Sequence, residues 1–192
     1  MLKINGKITK INFKKILNYI LKNHSTKKTI IEIFGVDGAG KSFLTLLIRK
    51  ELLKKQEKKV KIIHLWKFEK NKQITKNTIP YTKSKYIYPV SLVKEIYLII
   101  RMIILIFNIF FLFGNKIFYI FERSTYDVVI DPIRYRLAHK PIVFEAIYNT
   151  FFKNTKKIYI NASYNLVTKR KGELTKKKYI KLKNKLDKFF NK

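Results

Sequence analysis

The run Gly35-Val36-Asp37-Gly38-Ala39-Gly40-Lys41-Ser42 restricts the fold of this chain more than any other stretch. It fits G-x-x-x-x-G-K-[ST] at every position, and its surroundings fit as well. Thr29 to Phe34 before it is β-branched and apolar, and reads as a buried strand. Phe43 after it opens an amphipathic helix expected to run to about Lys55. In a strand, a glycine loop and a helix joined in that order, free backbone N–H groups and the positive end of the helix converge on one anion. The backbone from Gly35 to Phe43 is therefore expected to cradle the phosphates of a nucleoside triphosphate. Lys41 would reach the β- and γ-phosphates, and the Ser42 hydroxyl would hold Mg²⁺. An accidental glycine turn is the bland alternative, and the flanking strand and helix count against it.

With 192 residues the chain fits one domain with a proper core. It has no cysteine, so disulfides and thiolate metal sites are excluded. No secretory signal is seen at the N-terminus, and a cytoplasmic location is expected. The formal charge of +31 invites a nucleic-acid reading. The lysines are spread along the chain, and no recognition motif or basic–aromatic interleaving accompanies them, so no specific nucleic acid is expected. The bias toward Lys, Ile, Asn, Phe and Tyr is that of AT-rich codons, and it makes arginine informative. Lysine replaces arginine as a solvated charge but not as a planar fork on phosphate. Of the six arginines, Arg123, Arg134, Arg136 and Arg170 fall in segments assigned below to chemistry.

Residues 1–28 carry Ile8, Ile11, Ile16, Leu17, Ile20 and Leu21 at helical spacing, and an amphipathic N-terminal helical extension is expected ahead of a domain at 29–192. Val60 to Leu65 reads as a second strand and 67–90 as a long polar excursion. His64 belongs to no metal-ligand spacing and reads as structural. Leu92 to Phe113 reads as an apolar helix. A single membrane crossing there would put the glycine loop and the later Glu122-Arg123 on opposite sides of a bilayer. A helix buried on the sheet is the expected reading, with a membrane-surface contact as the alternative.

Lys116 to Phe121 is the third strand, tipped by Glu122-Arg123. An acid at that tip is placed to hold Mg²⁺, and the arginine after it points into the same crevice; a surface ion pair is the competing reading. Asp127, Asp131, Arg134 and Arg136 follow. A helix from Ile142 to Phe152, a strand from Lys157 to Asn161, a helix from Tyr164 to Lys171 and a lysine-rich helix from Lys176 to about Phe190 complete the chain.

With these residues in place, the chain resembles the thymidylate-kinase-like P-loop proteins. V-D-G-A-G-K-S is similar to that family's phosphate loop, Glu122-Arg123 to its strand-end Asp-Arg pair, and R-K-G-E-L-T at 170–175 to its basic lid. The run D-x-x-x-D-P-x-R-Y-R at 127–136 points to a bacterial branch of uncertain acceptor, some members of which accompany surface-glycan synthesis. The resemblance implies an α/β fold of three layers, with a parallel sheet of order 2-3-1-4 and the nucleotide at the carboxyl ends of its strands. It implies ATP and Mg²⁺, with Lys41, Asp37, Arg123, Arg170 and Lys171 as catalytic residues and Ser42 and Glu122 on the metal. Asp127, Asp131, Arg134 and Arg136 are candidates for the acceptor. Glutamate stands at 122 where the family has aspartate, and the family's last strand has no counterpart before Lys192.

Two readings follow. One is a kinase that moves the γ-phosphoryl of MgATP to an acceptor other than thymidine monophosphate, a glycosyl or other polyhydroxylated anion fitting better. The other is a nucleotide-binding pseudokinase attached to a membrane or surface-glycan assembly. A homodimer and a peripheral membrane contact are open in both.

Overall fold

Ile117 to Phe121 is an unbroken run of large apolar and aromatic side chains, and such a run has to be covered on both faces. In the computed structural model all five are buried in an inner strand. The structure describes residues 2–4, 7–9, 13–21, 28–54, 59–63, 84–112, 117–171 and 174–191. They form two compact units. The first comprises Met1–Ile63, Gly114–Ser124 and Thr155–Lys192, and the second His64–Phe113 and Thr125–Asn154.

The first unit is built on one sheet, with strands β1 (Leu2–Ile4), β2 (Lys7–Thr9), β3 (Thr29–Phe34), β4 (Lys59–Ile63), β5 (Ile117–Phe121) and β6 (Lys156–Ile160). β5 lies between β3 and β4, and β6 pairs with the other side of β3, all in parallel. Numbered among themselves, these four strands have the expected order 2-3-1-4. β4 is the edge, half-exposed, with Lys59 and Lys61 alternating along it. Lysines on an edge discourage pairing with another chain.

The N-terminal segment differs from expectation. β1 and β2 pair antiparallel, and β1 also pairs antiparallel with β6, so the sheet reads β2-β1-β6-β3-β5-β4. Among the described residues of that segment, α1 (Phe13–Leu21) is the helical part, with Ile16, Leu17 and Ile20 buried, and Ile11 lies outside the described residues. Ile8, counted above on a helix face, lies in a strand. The two strands fall on the triplets Leu2-Lys3-Ile4 and Lys7-Ile8-Thr9, which alternate apolar and polar residues as strands do. Lys156 Nζ donates to the carbonyls of Tyr19, at 3.0 Å, and Ile20, tying the end of α1 to β6. Burial lowers the pKa of that ammonium.

α2 (Lys41–Lys54) follows the glycine loop and turns Leu44, Thr45, Ile48 and Leu52 inward. α6 (Tyr164–Lys171) and α7 (Lys176–Phe190) close the unit. Thr175 caps α7 by accepting from Lys178 N–H at 3.4 Å. At the far end Phe190 packs on Phe34 and Tyr159, each with ring centroids 5.1 Å away.

The second unit holds α3 (Tyr88–Phe107), a π-helical continuation (Asn108–Leu112), α4 (Asp127–Ile130) and α5 (Ile142–Phe152). The excursion expected to reach residue 90 ends earlier. Pro89 sits in the first turn of α3, where a missing N–H costs nothing. His64, Leu65 and residues 67–83 lie outside the described residues. One face of α3 is buried through Leu98, Met102 and Ile106, while Ile96, Ile100 and Ile104 are more than half exposed. The helix expected to be buried on the sheet thus buries one face and exposes the other. Among the described residues, no helix is long and apolar enough to cross a membrane.

Candidate functional site

The loop between β3 and α2 turns tightly, with Ala39 N–H donating to Val36 O at 3.1 Å. Gly38 and Gly40 hold φ of +84° and +96°, where a side chain is strained. Space is short as well: a Cβ on Gly38 would lie 3.0 Å from the Val167 carbonyl of α6. α2 begins at Lys41, and the N–H groups of its first turn have no partner within the helix.

Lys41 is buried, and its Nζ donates to the carbonyls of Gly35 at 2.5 Å and Val36 at 3.1 Å. Asp37, also buried, sets Oδ1 3.5 Å from Lys41 Nζ and 3.2 Å from Arg123 Nη2. The carboxylate thus holds two cations beside the loop, and the strand-end arginine is tethered to the loop itself. Ser42 Oγ donates to Glu122 Oε1. A hydroxyl and a carboxylate in contact are hard oxygen donors of the kind Mg²⁺ takes, alongside water and phosphate oxygens. The longer glutamate side chain reaches the serine, so the departure from aspartate leaves this pair intact. Among the described residues there is no cluster of three or more His, Cys, Asp or Glu.

Arg170, on α6, places Nη1 3.4 Å from Gly38 O, and a Cβ on Gly40 would lie 3.1 Å from the same nitrogen. The structure therefore brings Asp37, Lys41, Ser42, Glu122, Arg123 and Arg170 to one loop. Phe43 points outward, 72% exposed. Lys171 ends α6.

The acceptor candidates belong to the second unit. Asp127 opens α4, and the buried Asp131 ends it, its Oδ1 accepting from Arg134 N–H at 3.4 Å. Arg136 takes φ 61°, rare for a side chain of that size. Its Nε donates to Ser84 O and its Nη1 to Tyr86 OH, both at 2.9 Å, and the guanidinium lies 3.8 Å from the Tyr86 ring centroid. Arg136 is a fastener between this loop and the approach to α3. His139 is another: it meets Ser91 Oγ at 3.0 Å through Nδ1 and Glu95 through Nε2.

One residue escaped the sequence reading. Glu32 sits mid-strand in β3, fully buried, accepting from Ser124 Oγ at 3.0 Å and Thr155 Oγ1 at 2.7 Å. Ser124 directly follows Glu122-Arg123, so Glu32 positions the strand tip that carries both. Lys157 lies nearby; burial lowers its pKa and the Glu32 charge works against that. The available signal was an acid inside an otherwise apolar strand. Glu32→Ala is expected to destabilise the protein by about 2–4 kcal/mol, since the buried Ser124 hydroxyl and the half-buried Thr155 hydroxyl lose a charged acceptor. A shift in the denaturant midpoint worth less than about 1 kcal/mol would contradict that role.

No protein-family model matches the sequence, and no curated protein matches it. Among solved structures, that of deoxyadenosine kinase from M. mycoides with bound dATP superimposes with a TM-score of 0.49 and 18% identity, over 85% of this chain and 84% of that one.

Proposed function

We propose that the protein is an ATP-dependent phosphotransferase that moves the γ-phosphoryl group to an acceptor other than thymidine monophosphate. The observation that carries this reading is the convergence of Lys41, Asp37, Arg123, the Ser42–Glu122 pair and Arg170 on one glycine loop.

Phosphoryl transfer asks little covalent chemistry of a protein; it asks for alignment and for positive charge around the transferring group. In this reading the loop amides and Lys41 hold the β- and γ-phosphates. Ser42 and Glu122 would hold Mg²⁺, which neutralises charge on the phosphate oxygens when bound. Arg170 and Lys171 supply charge to the transferring phosphoryl group, and Asp37 keeps Arg123 turned toward the acceptor. Asp127, Asp131, Arg134 and Arg136 are the acceptor candidates, and the guanidinium of Arg136 is also engaged with Tyr86 and Ser84. Carboxylates accept from sugar hydroxyls and an arginine suits a phosphate or carboxylate, which supports a polyhydroxylated anionic acceptor.

The test is a screen of such acceptors with γ-labelled ATP, run beside Lys41→Ala. Labelled product that is lost in the variant is expected; no binding and no turnover of ATP would overturn the reading. With thymidine monophosphate, kcat is expected below about 0.1 s⁻¹, against roughly 1–1000 s⁻¹ for ordinary enzymes. Formation of thymidine diphosphate within that ordinary range would refute the acceptor assignment.

A further inference from the structure

We propose that the exposed face of α3 and its π-helical continuation docks on an anionic lipid bilayer. The apolar face belongs to the second unit, and the proposal is independent of the phosphotransferase reading.

Every exposed position from Ile87 to Phe111 carries an apolar or aromatic side chain. Val93, Ile96, Ile100, Ile104, Phe107 and Phe111 recur three or four residues apart, and each is at least half exposed, up to 73% for Phe111. This makes a stripe about 30 Å long on one side of the helix. Compositional drift does not explain it. Lysine and arginine make up 43 of 192 residues, and the exposed positions of α7 are mostly lysine. On α3 the same chain places no base on the outward stripe. An apolar strip of this length marks a surface that is covered in use.

The margins say what covers it. Lys94 and Arg101, seven residues apart and therefore on the same side, are partly buried at the edge of the stripe. Their charged ends lie 4.9 and 5.3 Å from the Tyr97 ring, and Arg101 donates to the Tyr97 hydroxyl at 2.7 Å. Basic side chains that run their stems along an apolar face, with tyrosine beside them, match the level of lipid headgroups above acyl chains. Phe151 of α5, 46% exposed, continues the apolar surface next to Phe110, and the exposed Lys140 and Lys153 stand at the two ends of that helix. The chain as a whole carries +31. A second copy would bring an equal charge against it, whereas an anionic leaflet attracts it. With no described helix able to cross, the contact is one that lies on the surface.

The test is flotation of the whole protein with phosphatidylcholine vesicles, with and without phosphatidylglycerol, beside sedimentation equilibrium without lipid. Binding is expected only with phosphatidylglycerol and should weaken as salt rises. The double variant Ile100→Glu with Phe107→Glu alters exposed positions, so an unchanged melting temperature is expected. Its binding should fall by more than about tenfold. Lys94→Gln with Arg101→Gln should lower binding several-fold and flatten its salt dependence. Equal binding by wild type and the Ile100/Phe107 variant would overturn the proposal, as charge alone would then suffice. It would also fall if wild type ignored the vesicles, whether as a monomer or as a dimer that the same variant dissociates.

Discussion

Replacing Lys41 with alanine is expected to lower turnover by at least about a hundredfold and to weaken nucleotide binding with it. The side chain is buried against the carbonyls of Gly35 and Val36 and lies beside Asp37. An ammonium so held is aimed by the loop itself and loses little freedom on meeting phosphate. The variant should remain folded, because Arg123 still pairs with Asp37. A cost of about 1–2 kcal/mol, a few degrees in melting temperature, covers the lost hydrogen bonds. Titration with ATP and a melting curve together read this. Unchanged affinity in a folded variant would refute the phosphate-loop assignment.

Arg170→Ala is expected to lower kcat by about 10²–10³-fold while ATP affinity changes only a few-fold. Its guanidinium lies over the loop at Gly38 and Gly40 rather than inside it, so it is placed to meet charge that develops during transfer. Lysine at this position should restore part of the rate, since it keeps the charge and loses the planar fork. Comparable losses in affinity and rate would mean that Arg170 binds ATP in the ground state, and the role proposed for it would fail.

The parallel strands were legible because burial on both faces writes an unbroken apolar run, as in Ile117 to Phe121. Ile142–Phe152 and Lys176–Phe190 were legible as helices with the bounds they take in the structure. The N-terminal hairpin was not: three-residue strands give too short an alternation to compete with isoleucines that also fall at helical spacing. The role of Glu32 was invisible for a different reason. Its partners, Ser124 and Thr155, lie 92 and 123 residues away, and only the pairing of β3 with β5 and β6 brings those hydroxyls near. Arg136 is a different case. Its residue type suggested a ligand contact, while its guanidinium is committed to the protein's own Tyr86 and Ser84.

The antiparallel pairing of Leu2, Lys3 and Ile4 with β6 has a consequence for the order of events during synthesis. The first strand leaves the ribosome about 150 residues ahead of its partner, which at roughly 5–20 residues per second is a wait of about 8–30 seconds. Loop closure over such a span is slow and unrewarded until β3, β5 and β6 have already assembled. The hairpin is therefore a late arrival that seals a preformed edge, and until it docks, the outer side of β6 is an open template for another nascent chain.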